Sequence, residues 1–174
     1  MSQSLDAPGA GVTAYLGLGS NQGDSRTLLE EAVRGLSTVA GVRVTGLSRC
    51  YRTAAVGMED QPDFLNMIVE IATTLAPLEL LEAVQSLESA AGRVRTVRWG
   101  PRTLDVDILW YDGIFMDHDR LQLPHPRMQE RRFVLEPLAE LAPDLVLGNG
   151  LTVRESLAEV LDQDVAVMVD PRKE

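Results

Sequence analysis

Asp105 and Asp107 stand two positions apart in TLDVDILWYDG, residues 103–113. In a strand, residues i and i+2 share a face, roughly 6.5–7 Å apart at Cα. Two carboxylates that close repel, and each raises the other's pKa. A divalent cation removes that cost. Magnesium suits such a pair, since it takes one or two carboxylates and completes its octahedron with water and phosphate oxygens. The bland alternative is a solvated face of an edge strand, where such a pair is harmless.

The segment before the pair carries Arg93, Arg95, Arg98 and Arg102, interleaved with Trp99, Gly100 and Pro101. Guanidinium forks match phosphate oxygens bidentately. Cations beside a metal-binding carboxylate pair are the parts of a nucleoside-triphosphate site, in which charge is neutralised as phosphorus is transferred. Arginine–aspartate salt bridging without a ligand is the alternative. The two commonest phosphate motifs are absent. The one lysine, Lys173, is not in a P-loop, and GLGSNQG places its third glycine, Gly23, one residue late for a dinucleotide fingerprint. Those glycines read as a tight strand-to-helix turn.

Phe64 and Asn66 repeat the i, i+2 spacing. A ring offers a stacking surface and an amide offers both donor and acceptor, which suits a flat heterocycle with a mixed hydrogen-bonding edge. The second aromatic is Phe133 or Trp99. His125 lies between Pro124 and Pro126, ahead of Arg127, Arg131 and Arg132. A rigidly held imidazole can donate to phosphate or move a proton. His118 reads as a surface residue and Cys50 as a small buried hydrophobe.

These residues need a scaffold. VTAYLGLGS, residues 12–20, reads as a first strand, with Asp24 or Ser25 capping a helix that aligns Leu28, Leu29, Ala32, Val33, Leu36 and Val39. GVRVTGLSRCYRT reads as a second strand. FLNMIVEIATT is a third, with Leu65, Met67, Val69 and Ile71 on one face and Phe64, Asn66, Ile68 and Glu70 on the other. A helix follows from Pro77 to Gly92. The fourth strand turns Leu104, Val106, Ile108 and Trp110 toward the core, opposite the aspartates. A proline-bounded segment with a short helix and a last amphipathic helix, VRESLAEVLDQ, complete the chain. With no helix between strands two and three, they should pair antiparallel. The class is α+β, helices packed on a sheet.

The 174 residues suit one domain, read as 12–174 behind a mobile tail at 1–11. A net charge of -10 and 5% aromatic content argue against nucleic acid or an anionic membrane as partner, although eight arginines fall between Gly92 and Phe133. An acidic chain with a local arginine cluster points to a small anionic ligand. The single cysteine excludes an internal disulfide, no apolar run approaches a membrane span, and the N-terminus lacks signal-peptide regions. A cytoplasmic protein is the expectation.

YLGLGSNQGD, YRTAAVGMEDQPDFLN, GRVRTVRWGPRTLDVDIL and LPHPRMQERRFVLEPL, in that order between about Val12 and Leu141, resemble the 6-hydroxymethyl-7,8-dihydropterin pyrophosphokinases of folate biosynthesis. The resemblance implies a ferredoxin-like antiparallel sheet and a monomeric enzyme using ATP and two Mg2+ ions. It moves pyrophosphate to the pterin hydroxymethyl group and releases AMP. By position, Asp105 and Asp107 match the metal ligands, and Phe64 and Phe133 the pair that sandwiches the pterin. Asn66, with Thr53, Ala55 and Val56, matches the contacts to its edge. Arg93, Arg95, Arg98, Arg102, Arg120, His125 and Arg131 match phosphate-side residues, of which Arg93 and Arg102 join the aspartates in the catalytic set. Glu88, Ile108 and Gln122 match adenosine-side positions, and Trp99 and Arg102 close over the substrates. The proton acceptor stays open between Asp107 and water. A metal-dependent nucleotide hydrolase or ordinary kinase would use the same aspartates. A non-catalytic RNA-binding module would instead use the sheet and its aromatics.

Overall fold

The computed structural model describes residues 11–54, 61–92 and 103–168. Ala55, Val56, Arg93, Arg95, Arg98, Trp99 and Arg102, and most of the 1–11 tail, lie outside the described residues.

β1 (Val12–Ser20) leads into α1 (Ser25–Thr38), whose N-cap is Asp24: its carboxylate accepts the Thr27 N–H at 3.1 Å. β2 (Val42–Leu47), β3 (Tyr51–Thr53) and β4 (Phe64–Thr73) follow, then α2 (Pro77–Ala90) and β5 (Asp105–Tyr111). A hairpin of β6 (Met116–His118) and β7 (Leu121–Leu123) precedes a 3₁₀ turn at Met128–Glu130, α3 (Arg132–Leu141), α4 (Val153–Ala158) and β8 (Ala166–Val167). The main sheet runs β5-β1-β4-β3-β8, with β2 on the other half of β4, and its pairings are antiparallel.

Alternation in the long strands sorts the core into two layers. Leu16, Leu18, Met67, Val69 and Ile71 meet α1 and α2 on one face. Tyr15, Ile68 and Leu109 meet Val134, Leu135 and Leu138 of α3 and Val153 of α4 on the other. The face of β4 that carries Phe64 and Asn66 is therefore the α3 face.

Three expectations change. The second strand breaks at 48–50, because Ser48 turns its own hydroxyl onto the Ile68 N–H at 2.8 Å in place of a main-chain acceptor. Trp110 does not join Val106 and Ile108. The register of β5 on β1 skips a residue between Ile108 and Trp110, a bulge that sends Tyr111 to the α1–α2 layer and Trp110 to Tyr15, ring centroids 5.7 Å apart. The last helix ends at Ala158, and the chain returns as β8 against β3.

Candidate active site

The site is built on one cross-strand row. Asp105 of β5 pairs with Gly19 of β1, which pairs with Asn66 of β4; one step along, Asp107, Gly17 and Ile68 form a parallel row. Neighbours in register share a face, so the aspartates, the glycines and Asn66 all point to the α3 side. Adjacent strands are about 4.8 Å apart, so Asp105 and Asn66 stand roughly 10 Å apart with a side-chain-free strand between them. Gly23, at φ +73, does turn the chain from β1 to α1, but Gly17 and Gly19 are not part of that turn. They lie inside β1 and hollow out its α3 face. A Cβ on Gly19 would come within 2.9 Å of Asn66 Oδ1, and one on Gly17 within 3.3 Å of Leu109. The alternation of Leu16 and Leu18 with Gly17 and Gly19 carries that signal in the sequence.

The hollow is a cleft of about 810 Å3. Thr53, Phe64, Asn66 and Phe133, four residues singled out from the sequence, all line it. Asn66 is oriented by its Nδ2, which donates to Thr53 Oγ1 at 2.9 Å. Arg131 also lines this cleft, its guanidinium 5.6 Å from the centre of the Phe133 ring. Burial pushes the Arg131 pKa down, and the charges of Asp107 and Asp105 oppose that. Sequence reasoning missed Leu109, Arg127, Glu130, Gln163, Asp164 and Val165 in the lining.

A second cleft, about 650 Å3, opens where β5 forms the margin of the sheet. It is bounded by α2, the β6–β7 hairpin and His125, and Glu88, Ile108, Arg120, Gln122 and His125 all line it. Glu88 is buried in α2 and its Oε1 accepts the Val106 N–H at 2.9 Å, tying the helix to the sheet margin. Gln122 donates to Asp117 Oδ1 at 3.3 Å across the hairpin, and Arg120 makes a loose 3.7 Å pair with Glu82. His125 is fixed twice: its backbone N–H donates to Leu109 O at 2.7 Å, and its ring Nδ1 accepts the Arg127 backbone N–H at 3.2 Å. In the neutral ring, the proton therefore sits on Nε2. Burial, reinforced by Arg131 and Arg127 and opposed by Asp105, lowers its pKa to about 4. At neutral pH it is an uncharged donor.

Asp105 and Asp107 line both clefts. One holds stacking surfaces and an oriented amide; the other is polar and presents the imidazoles of His118 and His125, the Arg120 guanidinium, the amides of Gln85 and Gln122 and the carboxylates of Glu88, Asp117 and Asp119. Groups at the shared wall can act on an atom of a ligand in either cleft. Two carboxylates on one strand face offer hard oxygen donors of the type magnesium takes, with the remaining positions left for water and phosphate. Among the described residues no group of three or more His, Cys, Asp or Glu could hold a metal. A phosphate-completed magnesium site needs no third protein carboxylate.

Solved structures similar to this fold include the Plasmodium falciparum HPPK-DHPS wild type with pteroate, at TM-score 0.68 and 15% identity over 87% of this chain, and HPPK-DHPS in complex with substrates, at TM-score 0.67 and 13% identity. This chain spans 42% and 44% of those longer chains, and at such identity the likeness concerns the fold. Curated relatives are much nearer. The 2-amino-4-hydroxy-6-hydroxymethyldihydropteridine pyrophosphokinase of Methylorubrum extorquens is 54% identical over 147 residues, 84% of this chain and 92% of the relative. That of Bacillus subtilis is 55% identical over 128 residues, 74% of this chain and 77% of the relative. The model of the 7,8-dihydro-6-hydroxymethylpterin-pyrophosphokinase family matches residues 15–143, and this chain belongs to that family.

Proposed function

We propose that the chain transfers pyrophosphate from ATP to 6-hydroxymethyl-7,8-dihydropterin, giving AMP and the pterin diphosphate, in folate synthesis. Family membership supports the reaction. The observation that supports its assignment to this site is the position of Asp105 and Asp107 on the wall common to the two clefts.

On this reading the first cleft takes the pterin. Phe64 and Phe133 stack on the ring, and Asn66, steadied by Thr53, reads its edge. The ring lies over Gly19, with its hydroxymethyl group toward the aspartates. The second cleft takes ATP: Glu88, Ile108 and Gln122 on the adenosine side, Arg120 and His125 toward the phosphates. Neutral His125 donates from Nε2 without adding charge. Arg131 reaches the reacting region from the pterin side. Arg93, Arg95, Arg98 and Arg102, with Trp99, Ala55 and Val56, are carried on the resemblance alone. Asp105 and Asp107 hold Mg2+, two ions on the family pattern, which supply charge neutralisation and alignment of the triphosphate. The protein's own share is to align the acceptor oxygen with the β-phosphorus and to keep water away while both are bound.

We read the fold as ferredoxin-like, on the strength of its antiparallel sheet and helix layers. The chain is taken as one domain over 12–174, working as a cytoplasmic monomer that binds neither nucleic acid nor membrane. In the described residues, no helix is long and apolar enough to cross a membrane. Phosphorus NMR on ATP, magnesium and the pterin alcohol tests the reaction. AMP and a pterin diphosphate should appear in equal amounts. ADP formation, or ATP loss without the pterin, overturns the reading.

A further inference from the structure

The family match ends at residue 143, yet Gln163, Asp164 and Val165 line the first cleft. The chain reaches them through α4, whose Thr152 caps the helix in a reciprocal capping box with Glu155. Val160, buried in the α3–α4 layer, anchors the segment just before them.

Gln163 then closes a clasp on the start of α3. Its Nε2 donates to Glu130 O at 2.8 Å and its Oε1 accepts the Arg132 N–H at 3.0 Å. The Arg132 N–H is one of the helix-terminal donors without an intrahelical partner, and the α3 N-cap, Arg131, provides no side-chain cap. The cap comes from 31 residues away. Arg132 reciprocates: its Nη1 donates to Leu161 O at 2.9 Å and to Gln163 O at 2.8 Å, while its Nε holds Glu136 at 2.9 Å. The backbone groups held by the Gln163 amide flank Arg131 and immediately precede Phe133. Arg131 and Phe133 both face the first cleft, beside Glu130 and Val134, with the guanidinium resting on the ring.

We propose that Gln163 is a positioning residue of the acceptor site: by clasping Glu130 O and Arg132 N–H it fixes the direction of Arg131 and Phe133 and seats the 163–165 segment as a wall of the pterin cleft. This rests on the pterin assignment above. The amide acts through other residues, so its loss should weaken the acceptor more than ATP: the ATP cleft shares no residue with the clasp, and Arg131, which reaches the reacting region from the pterin side, is the one clasped residue assigned to the phosphates.

The test uses the full chain, with Gln163→Met, which keeps the length and removes both hydrogen bonds, Arg132→Met, which removes the reciprocal pair, and the double variant. The expected result for Gln163→Met is about tenfold weaker binding of the pterin alcohol, the scale of two lost hydrogen bonds, with ATP affinity within about twofold of wild type. Amide exchange at Arg132 should quicken. The double variant should fall well short of the sum of the singles, because both belong to one clasp. Unchanged pterin affinity with quickened exchange at Arg132 overturns the inference and leaves the parent reading standing. Equal weakening of pterin and ATP also overturns it, since that signals general loosening. A wild-type chain that neither binds the pterin alcohol nor makes AMP fails the parent reading and takes this inference with it.

Discussion

Asn66 lies directly against Gly19: the two are register partners across β4 and β1, and a Cβ on Gly19 would approach Asn66 Oδ1 to 2.9 Å. The other end of the amide is committed to Thr53 Oγ1 at 2.9 Å. The amide is thus held at Nδ2 by that hydrogen bond, while its Oδ1 occupies space that a Cβ on Gly19 would take. Gly19→Ala should push the amide off this position. The colliding atom is the end of a side chain, so stability should fall by only about 1 kcal/mol. The KM for the pterin should rise about tenfold or more while the KM for ATP stays within about twofold. Steady-state kinetics with each substrate varied in turn, alongside a urea titration, check the split.

Asp105→Asn and Asp107→Asn keep the shape of the shared wall and remove a charge. Each should lower kcat by at least about a hundredfold, in keeping with the several kcal/mol that a metal supplies in such transfers. Each substitution relieves like-charge repulsion but also gives up attraction to Arg131, so the melting temperature of the apo chain should change little. Chelation of the wild type by EDTA should stop AMP release, and added Mg2+ should restore it. Full activity in either variant would refute the metal assignment.

Much of this site was legible because its key residues come in i, i+2 pairs on strands, and strand alternation is a local property. Asp105 with Asp107 and Phe64 with Asn66 needed no knowledge of their neighbours. What failed depended on the neighbouring strand. Trp110 was misassigned because a bulge is defined by the register on β1, which no stretch of β5 announces. The strand pattern places Gly17 and Gly19 in β1, but glycine's usual use in turns hides their purpose there; only the row Asp105–Gly19–Asn66 shows them as the floor of a cleft. Gln163 was missed because its partners lie more than thirty residues earlier and no periodicity links a side-chain amide to a distant helix start.

Phe133 stands in the first turn of α3 with one side in the cleft and the other against the α3–α4 layer. Phe133→Ala should therefore show in both stability and binding. Phe133→Leu retains most of the packing and loses the flat ring. Stacking of a heterocycle on an aromatic ring is worth about 1–3 kcal/mol. The leucine variant should thus bind the pterin alcohol roughly ten- to a hundredfold more weakly, at near wild-type stability and with ATP affinity unchanged. Calorimetric titration of each ligand separates these outcomes. Equal pterin affinity in the leucine variant removes Phe133 from the stack.

Glu140 ties the far end of α3 to β3. It receives the Tyr51 hydroxyl, the Arg49 N–H at 3.0 Å and the Arg49 Nε at 2.9 Å. Burial alone would push its pKa up, but these donors outweigh burial and hold it below the ordinary value of 4.5. Burial, with the Glu140 hydrogen bond second, raises Tyr51 to about 12, so the phenol stays a donor across the working range. The sign follows from linkage. The unfolded chain takes the Glu140 proton first as pH falls, so this contribution is complete above the ordinary carboxylate value and is lost as pH drops through the folded one. Tyr51→Phe removes one donor to the charge. At neutral pH it should cost about 1 kcal/mol, discounted for the partial exposure of the pair. The gap between wild type and variant should narrow as the pH is lowered below about 4.5. Urea midpoints for the two proteins at pH 7 and at about pH 3.5 measure it, and a gap that stays constant with pH would mean that Tyr51 stabilises the chain by packing rather than through the Glu140 charge.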